Sequence, residues 1–273
     1  MIPNVLSIAG LDPSGGAGIL ADVKAFSAHG AYGTAVLTAI TAQNTRAVTA
    51  VQAVAPELVC EQLETLLADV RIDAIKVGML ANAEIAAAVA ARLARIRPQQ
   101  LVVDPVMVAK SGDRLLDDAA IDTLRSRVLP LATLITPNLP EAGVLLDRAA
   151  PTTFDEMRDA ARELHRLGPR YVLVKGGHLK TEESPDVLFD GSDFTLFSAP
   201  RVATKNTHGT GCTLSAAIAA LLPQRADVPT AVRDAKTYVT QGLVASDALR
   251  VGSGHGPLHH FHSLWPAARP EPR

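Results

Sequence analysis

The residues able to do chemistry fall in short polar strings set between apolar runs. The most distinctive is Thr207-His208-Gly209-Thr210-Gly211-Cys212-Thr213, which opens an Ala/Leu-rich stretch of helical character. Gly209 and Gly211 let the backbone turn tightly and aim successive N–H groups at one point, where a helix N-terminus adds about half a positive charge. That arrangement suits a phosphate in transfer, although a Gly-rich helix start without a ligand has the same string. Cys212 at the helix N-terminus is expected to have its thiol pKa drawn below the usual ~8.5. It is open to three roles, as base, nucleophile or small buried residue, whereas Cys60 reads as an inert buried thiol.

Other strings follow strand-like runs. Asn138-Leu139-Pro140-Glu141 places an amide and a carboxylate three residues apart on one helix face. The pair is suited to hold Mg²⁺ through water, and equally suited to a plain N-terminal capping box. Lys175-Gly176-Gly177-His178 puts a cation beside flexible backbone, as a phosphate grip needs, or is a solvated strand-end charge. Asp104-Pro105-Val106 offers a carboxylate for a metal-bound water, and Lys110-Ser111-Gly112-Asp113 reads as a polar flap over the same edge. His255, His259, His260 and His262 lie in a Gly/Pro-rich segment that reads as a surface or dimer contact rather than a metal site. The chain has no GxxxxGK[ST], no GxGxxG after the first strand, no HExxH and no GxSxG.

The elements that must position these strings alternate between short apolar runs and helical patterns. Strands are expected at Val5–Ala9, Ala35–Ile40, Ala74–Val77, Leu101–Val103, Leu134–Thr136 and Tyr171–Lys175. A helix follows the turn at Asp12–Gly16, with Ile19, Leu20, Val23 and Phe26 on one face, ending near Gly30. Further helices are expected at about 57–69, 83–96, 118–128 and 154–167, the last opened by a capping box of Thr153 and Glu156. A hairpin about Asp190-Gly191 and two helices near 211–222 and 229–249 complete the pattern. Such alternation predicts an α/β fold, a mostly parallel sheet with helices on both faces, and ligands beyond the carboxyl ends of its strands. Residues 1–265 are expected to form one domain, with a disordered tail at 266–273.

The 273 residues carry a formal net charge of -2 and no basic run, which argues against nucleic acid. Two cysteines without a CxxC spacing exclude a disulfide scaffold and fit a reducing compartment. The N-terminus has neither a basic region nor a long apolar run, so a cytoplasmic protein without a membrane span is expected.

Together the strings resemble the ribokinase-like superfamily and, within it, the hydroxymethylpyrimidine/phosphomethylpyrimidine kinases of thiamine biosynthesis. The resemblance is carried by Ile8–Gly18, Thr41–Thr45, Lys76–Leu80, Asp104–Met107, Ile135–Glu141, Val174–His178 and Thr207–Thr213, in that order, and extends to Gly256–Phe261. It implies a three-layer α/β/α sandwich and two ATP-dependent phosphorylations, of 4-amino-5-hydroxymethyl-2-methylpyrimidine and then of its monophosphate. It implies that Gln43 bonds the aminopyrimidine edge, with Gly10, Asp22, Met79 and Val106 shaping the pocket. Asn138 and Glu141, with Asp104, are implied to organise Mg²⁺, and Lys175 to neutralise the ATP phosphates. Thr207, Gly209 and Gly211 are implied to meet ATP and the transferring phosphoryl group, with Cys212 where sugar kinases carry an aspartate base. A homodimer is the family's common state, and a monovalent cation requirement stays open.

The nearest competing reading is a pyridoxal kinase. Some dual-function relatives carry a flap cysteine, which Val108–Asp113 lacks. A ligand-binding regulator would be expected to have lost Asn138, Glu141, Lys175 or the glycine turn, and all are present. A cysteine hydrolase built on Cys212 would need a histidine base, for which His208 is the near neighbour in sequence.

Overall fold

The computed structural model describes residues 1–107 and 116–265; the flap string and the 266–273 tail both lie outside the described residues. In chain order the strands are β1 (Asn4–Leu11), β2 (Tyr32–Gln43), β3 (Val48–Ala53), β4 (Ala74–Val77), β5 (Leu101–Val103), β6 (Leu134–Ile135), β7 (Tyr171–Lys175), β8 (Asp186–Phe189) and β9 (Phe194–Phe197). The α-helices are α1 (Gly18–Ala28), α2 (Pro56–Asp69), α3 (Ala83–Ile96), α4 (Asp118–Thr123), α5 (Leu139–Leu145), α6 (Phe154–His165), α7 (Thr210–Leu221) and α8 (Val228–Val244).

The nine strands of the described residues join one sheet in the order β3-β2-β1-β4-β5-β6-β7-β8-β9. The central run from β2 to β7 is parallel, and β3, β8 and β9 add antiparallel edges. Successive side chains on a strand point to opposite faces, and both faces are apolar here. Leu6, Ile8, Ile75, Val77, Val103 and Val174 pack beneath α2 to α6. Val5, Ala74, Val102, Leu134 and Leu173 pack on the opposite side against α1, α7 and α8. This double coverage is why the central strands read as unbroken apolar runs rather than alternating ones. Small residues on α7 (Ala216, Ala217, Ala219 and Ala220, all fully buried) let that helix sit close to its neighbours.

Local signals account for most boundaries. The Thr153–Glu156 capping box is present, with Thr153 accepting from the Glu156 N–H. The hairpin forms between β8 and β9, where Asp190 accepts from the N–H groups of Ser192 and Asp193. Three expectations need correction. The stretch after Ile40 stays extended to Gln43 because β3 pairs with it, and β3 itself was not foreseen. Leu20 is exposed rather than on the buried face of α1. The helix expected over 118–128 is α-helical only to Thr123 and continues as a π turn to Val128. Among the described residues no helix is long and apolar enough to cross a membrane.

Candidate active site

The carboxyl ends of β1, β2, β4, β5, β6 and β7 converge with the N-terminus of α7 around a cavity of about 410 Å³. Gly10, Gln43, Met79 and Val106 line it, as do Asp104, Asn138, Glu141 and Lys175. So does the turn, through Thr207, Gly209, Gly211 and Cys212. Gly10 leaves room for Met79, whose Cε lies 2.4 Å from where a Cβ at position 10 would sit.

The turn is built as an anion hole requires. Gly209, the N-cap of α7, has φ 69°, a conformation that costs glycine little. A Cβ there would lie 1.8 Å from the Gly16 carbonyl oxygen, so the turn after β1 packs directly on the turn before α7. The first helical bond runs from Thr213 N–H to the Gly209 carbonyl, which leaves the preceding N–H groups of the first turn for a ligand. No acidic side chain occupies that first turn.

Lys175 is drawn in over this hole. Its Nζ sits 3.1 Å from where a Cβ on Gly211 would lie, 2.9 Å from Asp104 Oδ1 and 4.0 Å from Glu141 Oε2. A solvated strand-end charge is therefore not what the structure shows. Burial works against the ammonium, but Asp104 and Glu141 outweigh it and hold the Lys175 pKa above its ordinary value. Burial also opposes ionisation of Asp104; Lys175 and Lys76 prevail and keep that carboxyl low. Thr136 donates to the same Asp104 oxygen. Burial dominates at Glu141 and pushes it up to about 7. Asn138 and Glu141 do form the capping box at the start of α5, through reciprocal bonds of 2.9 and 2.8 Å. That role engages Glu141 Oε2 and leaves Oε1 for another partner.

Two expectations differ from what the structure places here, one about the Cys212 thiol and one about the cavity lining. Cys212 is not an activated thiol: burial pushes it up to about 11, with Asp104 and Asp22 adding to the effect, against the pull of Lys76 and the Gly18 N–H. The helix end cannot offset removal from water with two carboxylates close by. Asp22 does not line the cavity. It is fully buried behind it, bonded to Lys76 Nζ at 2.8 and 3.0 Å and accepting from the Ser7 hydroxyl at 2.5 Å.

Lys76 itself, fully buried yet lining the cavity, was missed as a site residue. A lysine inside the apolar run Ala74–Val77 of a doubly covered sheet requires a buried carboxylate, and that was the available signal. His208 was read only as a possible base for Cys212. It bonds Asp12 instead, Nε2 to Oδ2 at 2.7 Å. Burial opposes the Asp12 carboxylate, but hydrogen bonds from His208 and Ser14 hold it below its usual range. Of the four late histidines, His259 and His260 are buried, His262 is half-buried and His255 is exposed; His260 meets the Thr213 hydroxyl at 3.1 Å, and its carbonyl accepts from Tyr238. Among the described residues no group of three or more His, Cys, Asp or Glu could hold a metal.

A strand-end cavity with a glycine turn at a helix N-terminus, a buried lysine over it and no P-loop narrows the possibilities to few folds. The family model for phosphomethylpyrimidine kinase matches residues 12–259. The chain belongs to that family. Hydroxymethylpyrimidine/phosphomethylpyrimidine kinase of Escherichia coli (strain K12) is 55% identical over 262 residues, covering 96% of this chain and 98% of the relative. Among solved structures, pyridoxal kinase of Bacillus subtilis in complex with ADP superposes with a TM-score of 0.87 at 35% identity, covering 96% of this kinase and 98% of its own chain. Phosphomethylpyrimidine kinase from Clostridium difficile 630 gives 0.78 at 40% identity, covering 88% and 98%. The kinase thus has the ribokinase-like three-layer architecture.

Proposed function

We propose that this kinase transfers the terminal phosphoryl group of ATP to the hydroxymethyl oxygen of 4-amino-5-hydroxymethyl-2-methylpyrimidine, and then a second one to the resulting monophosphate. The observation that carries the reading is the near-full-length 55% identity to a kinase named for both substrates. The intact glycine turn and Lys175 at the cavity agree with it.

The phosphoryl group in flight is loosely bonded to both oxygens, so charge neutralisation and alignment outweigh a strong base. The α7 N–H groups and the Lys175 ammonium face the same point and serve that need. Asp104 and Glu141 fit a hydrated Mg²⁺, because each retains a carboxylate oxygen and magnesium keeps most of its water. They would hold the ion through water, with Asn138 beside them, and the ion would supply charge neutralisation on the ATP phosphates. Gln43, Gly10, Met79 and Val106 would surround the pyrimidine, and Thr207 would contact ATP. A cytoplasmic homodimer completes the reading, and light scattering in solution tests the assembly.

A thiol with its pKa near 11 is protonated at neutral pH, so the alcohol proton leaves late or to another acceptor. Cys212→Ala is therefore expected to lower kcat by less than about 100-fold, the lower end of what a general base contributes. A loss of ~10⁴-fold with KM unchanged would restore Cys212 as the base.

The identifying experiment is mass analysis of products after incubation with ATP, Mg²⁺ and the pyrimidine. Monophosphate and then diphosphate are expected, and absence of both would overturn the reading. Likeness to pyridoxal kinase structures favours one competitor. Equal concentrations of pyridoxal and the pyrimidine should give mostly the pyrimidine product.

A further inference from the structure

The hydrogen-bond arrangement around Gln43 carries a consequence for substrate choice. A glutamine amide is two-handed: turned one way it offers oxygen, turned the other way N–H₂. Left free, it matches an aminopyrimidine edge (amino donor beside a ring-nitrogen acceptor) in one orientation. In the other it matches the corresponding oxo edge (carbonyl acceptor beside a ring N–H) equally well. Discrimination between the two requires something that fixes the amide.

Two neighbours do so. One end of the Gln43 amide lies 3.1 Å from Thr41 Oγ1 and the other 3.4 Å from His208 Nε2. The Thr41 hydroxyl has one hydrogen, and the Leu11 carbonyl, which can only accept, lies 2.9 Å away. With its hydrogen given to Leu11, Thr41 can only accept from Gln43. His208 Nε2 lies 2.7 Å from an Asp12 carboxylate oxygen that already accepts from Ala17 N–H and the Ser14 hydroxyl. A lone pair on Nε2 would face that carboxylate, so Nε2 carries the proton. Drawn with Oε1 beside Thr41, the amide would have the single hydroxyl hydrogen claimed twice and two N–H groups facing each other at His208. Turning it over resolves both conflicts: N–H₂ donates to Thr41, and Oε1 faces the His208 N–H edge at 3.4 Å without taking the hydrogen that goes to Asp12. Both neighbours favour the same hand. All the partners are held: Thr41 and Asp12 are buried, and the His208 ring fills the space beside Gly16, where a Cβ would meet its Cδ2 at 2.3 Å.

The geometry points to Thr41 and the His208–Asp12 pair as specificity-determining positioning residues, which lock the Gln43 amide in one hand so that the acceptor site takes an amino-substituted pyrimidine and rejects its oxo counterpart. The assignment builds on the acceptor being an aminopyrimidine read by Gln43. It gives His208 a part in the acceptor site, although its chain position belongs to the phosphate turn.

The test compares kcat/KM for 5-hydroxymethyl-2-methylpyrimidine carrying a 4-amino or a 4-oxo group. The intact enzyme is expected to prefer the amino compound by at least about 100-fold, since a mismatched amide covered by the bound pyrimidine leaves donors and acceptors unpaired. Thr41→Val keeps the shape and removes the acceptor; it should shrink that ratio at least tenfold, chiefly by raising KM for the amino compound. Thr41→Ser should retain the wild-type ratio, and His208→Phe should shrink it in the same direction as Thr41→Val. Parallel losses on both compounds with the ratio unchanged would reduce these residues to structural support and overturn the assignment. The His208 tautomer, read by ¹⁵N NMR of the ligand-free enzyme, gives a decision independent of substrate. A protonated Nε2 is expected, and an unprotonated one overturns the lock. If the intact enzyme phosphorylates neither pyrimidine, the function proposed above fails while the tautomer measurement still judges the lock.

Discussion

Gly209→Ala is expected to lower kcat/KM by at least about 10³-fold, the upper range for loss of one preorganised donor to a developing charge. Two effects combine at this position. An alanine would have to hold φ 69°, where L side chains are strained, and its Cβ would fall 1.8 Å from the Gly16 oxygen and 2.7 Å from the Gly16 carbonyl carbon. Those atoms are backbone, so relief requires the turn after β1 and the turn before α7 to separate. The Asp12–His208 bond crosses between the same two turns and would be stretched with them. Gly211→Ala is the informative contrast. Its Cβ would meet the Lys175 Nζ at 3.1 Å, the far end of a flexible side chain, and Gly211 already lies within α7. A loss nearer tenfold is expected there, with KM for ATP rising as the ammonium is displaced. Circular dichroism and thermal melting of both variants separate a damaged site from a damaged fold. Gly209→Ala within tenfold of the intact enzyme would mean that the turn does not shape the transition state.

The strand ends were the most legible part of this chain. Ala74–Val77, Leu101–Val103 and Tyr171–Lys175 are largely apolar, Lys76 and Lys175 apart, so their limits follow where apolar sequence stops, and the polar strings after them mark the cavity. β3 gave no such signal: its residues are largely exposed and their strand state comes from pairing with β2. The same pairing keeps β2 extended as far as Gln43 and so fixes where that amide stands. Electrostatics proved least legible. The position of Cys212 on a helix predicted a lowered pKa, whereas burial, helped by carboxylates from segments distant in sequence, reverses the sign. Asn138 and Glu141 show that competing readings need not exclude each other. The capping box forms, and the capping carboxylate still faces Lys175 at the cavity.

The largest stability effect is expected at Lys76. Its ammonium and the Asp22 carboxylate are both wholly removed from water and meet at 2.8 Å, with Ser7 donating to the same carboxylate. Burial alone would strip the proton from Lys76, yet Asp22, with Cys212 and Asp104, holds its pKa above the ordinary lysine value; burial also raises the Asp22 carboxyl, against the opposing pull of Lys76 and Ser7. Lys76→Met fills nearly the same space and leaves the buried Asp22 carboxyl without its counter-ion in the sheet. Removal of one partner from a buried pair costs about 3–5 kcal/mol, far above the desolvated pair's net contribution. A denaturant midpoint lowered by that free energy divided by the slope of the unfolding transition is expected, with the slope itself unchanged. The double variant Lys76→Met/Asp22→Asn removes the stranded carboxyl and should recover more than half of the loss, whereas additive damage would show that packing, not charge, holds this point. Activity should not recover with stability. Lys76 faces the cavity beside Asp104 and Cys212, and the double variant removes that cation from the floor of the site. A refolded but slow enzyme would thereby distinguish the contribution of the pair to the fold from the contribution of its positive end to phosphoryl transfer.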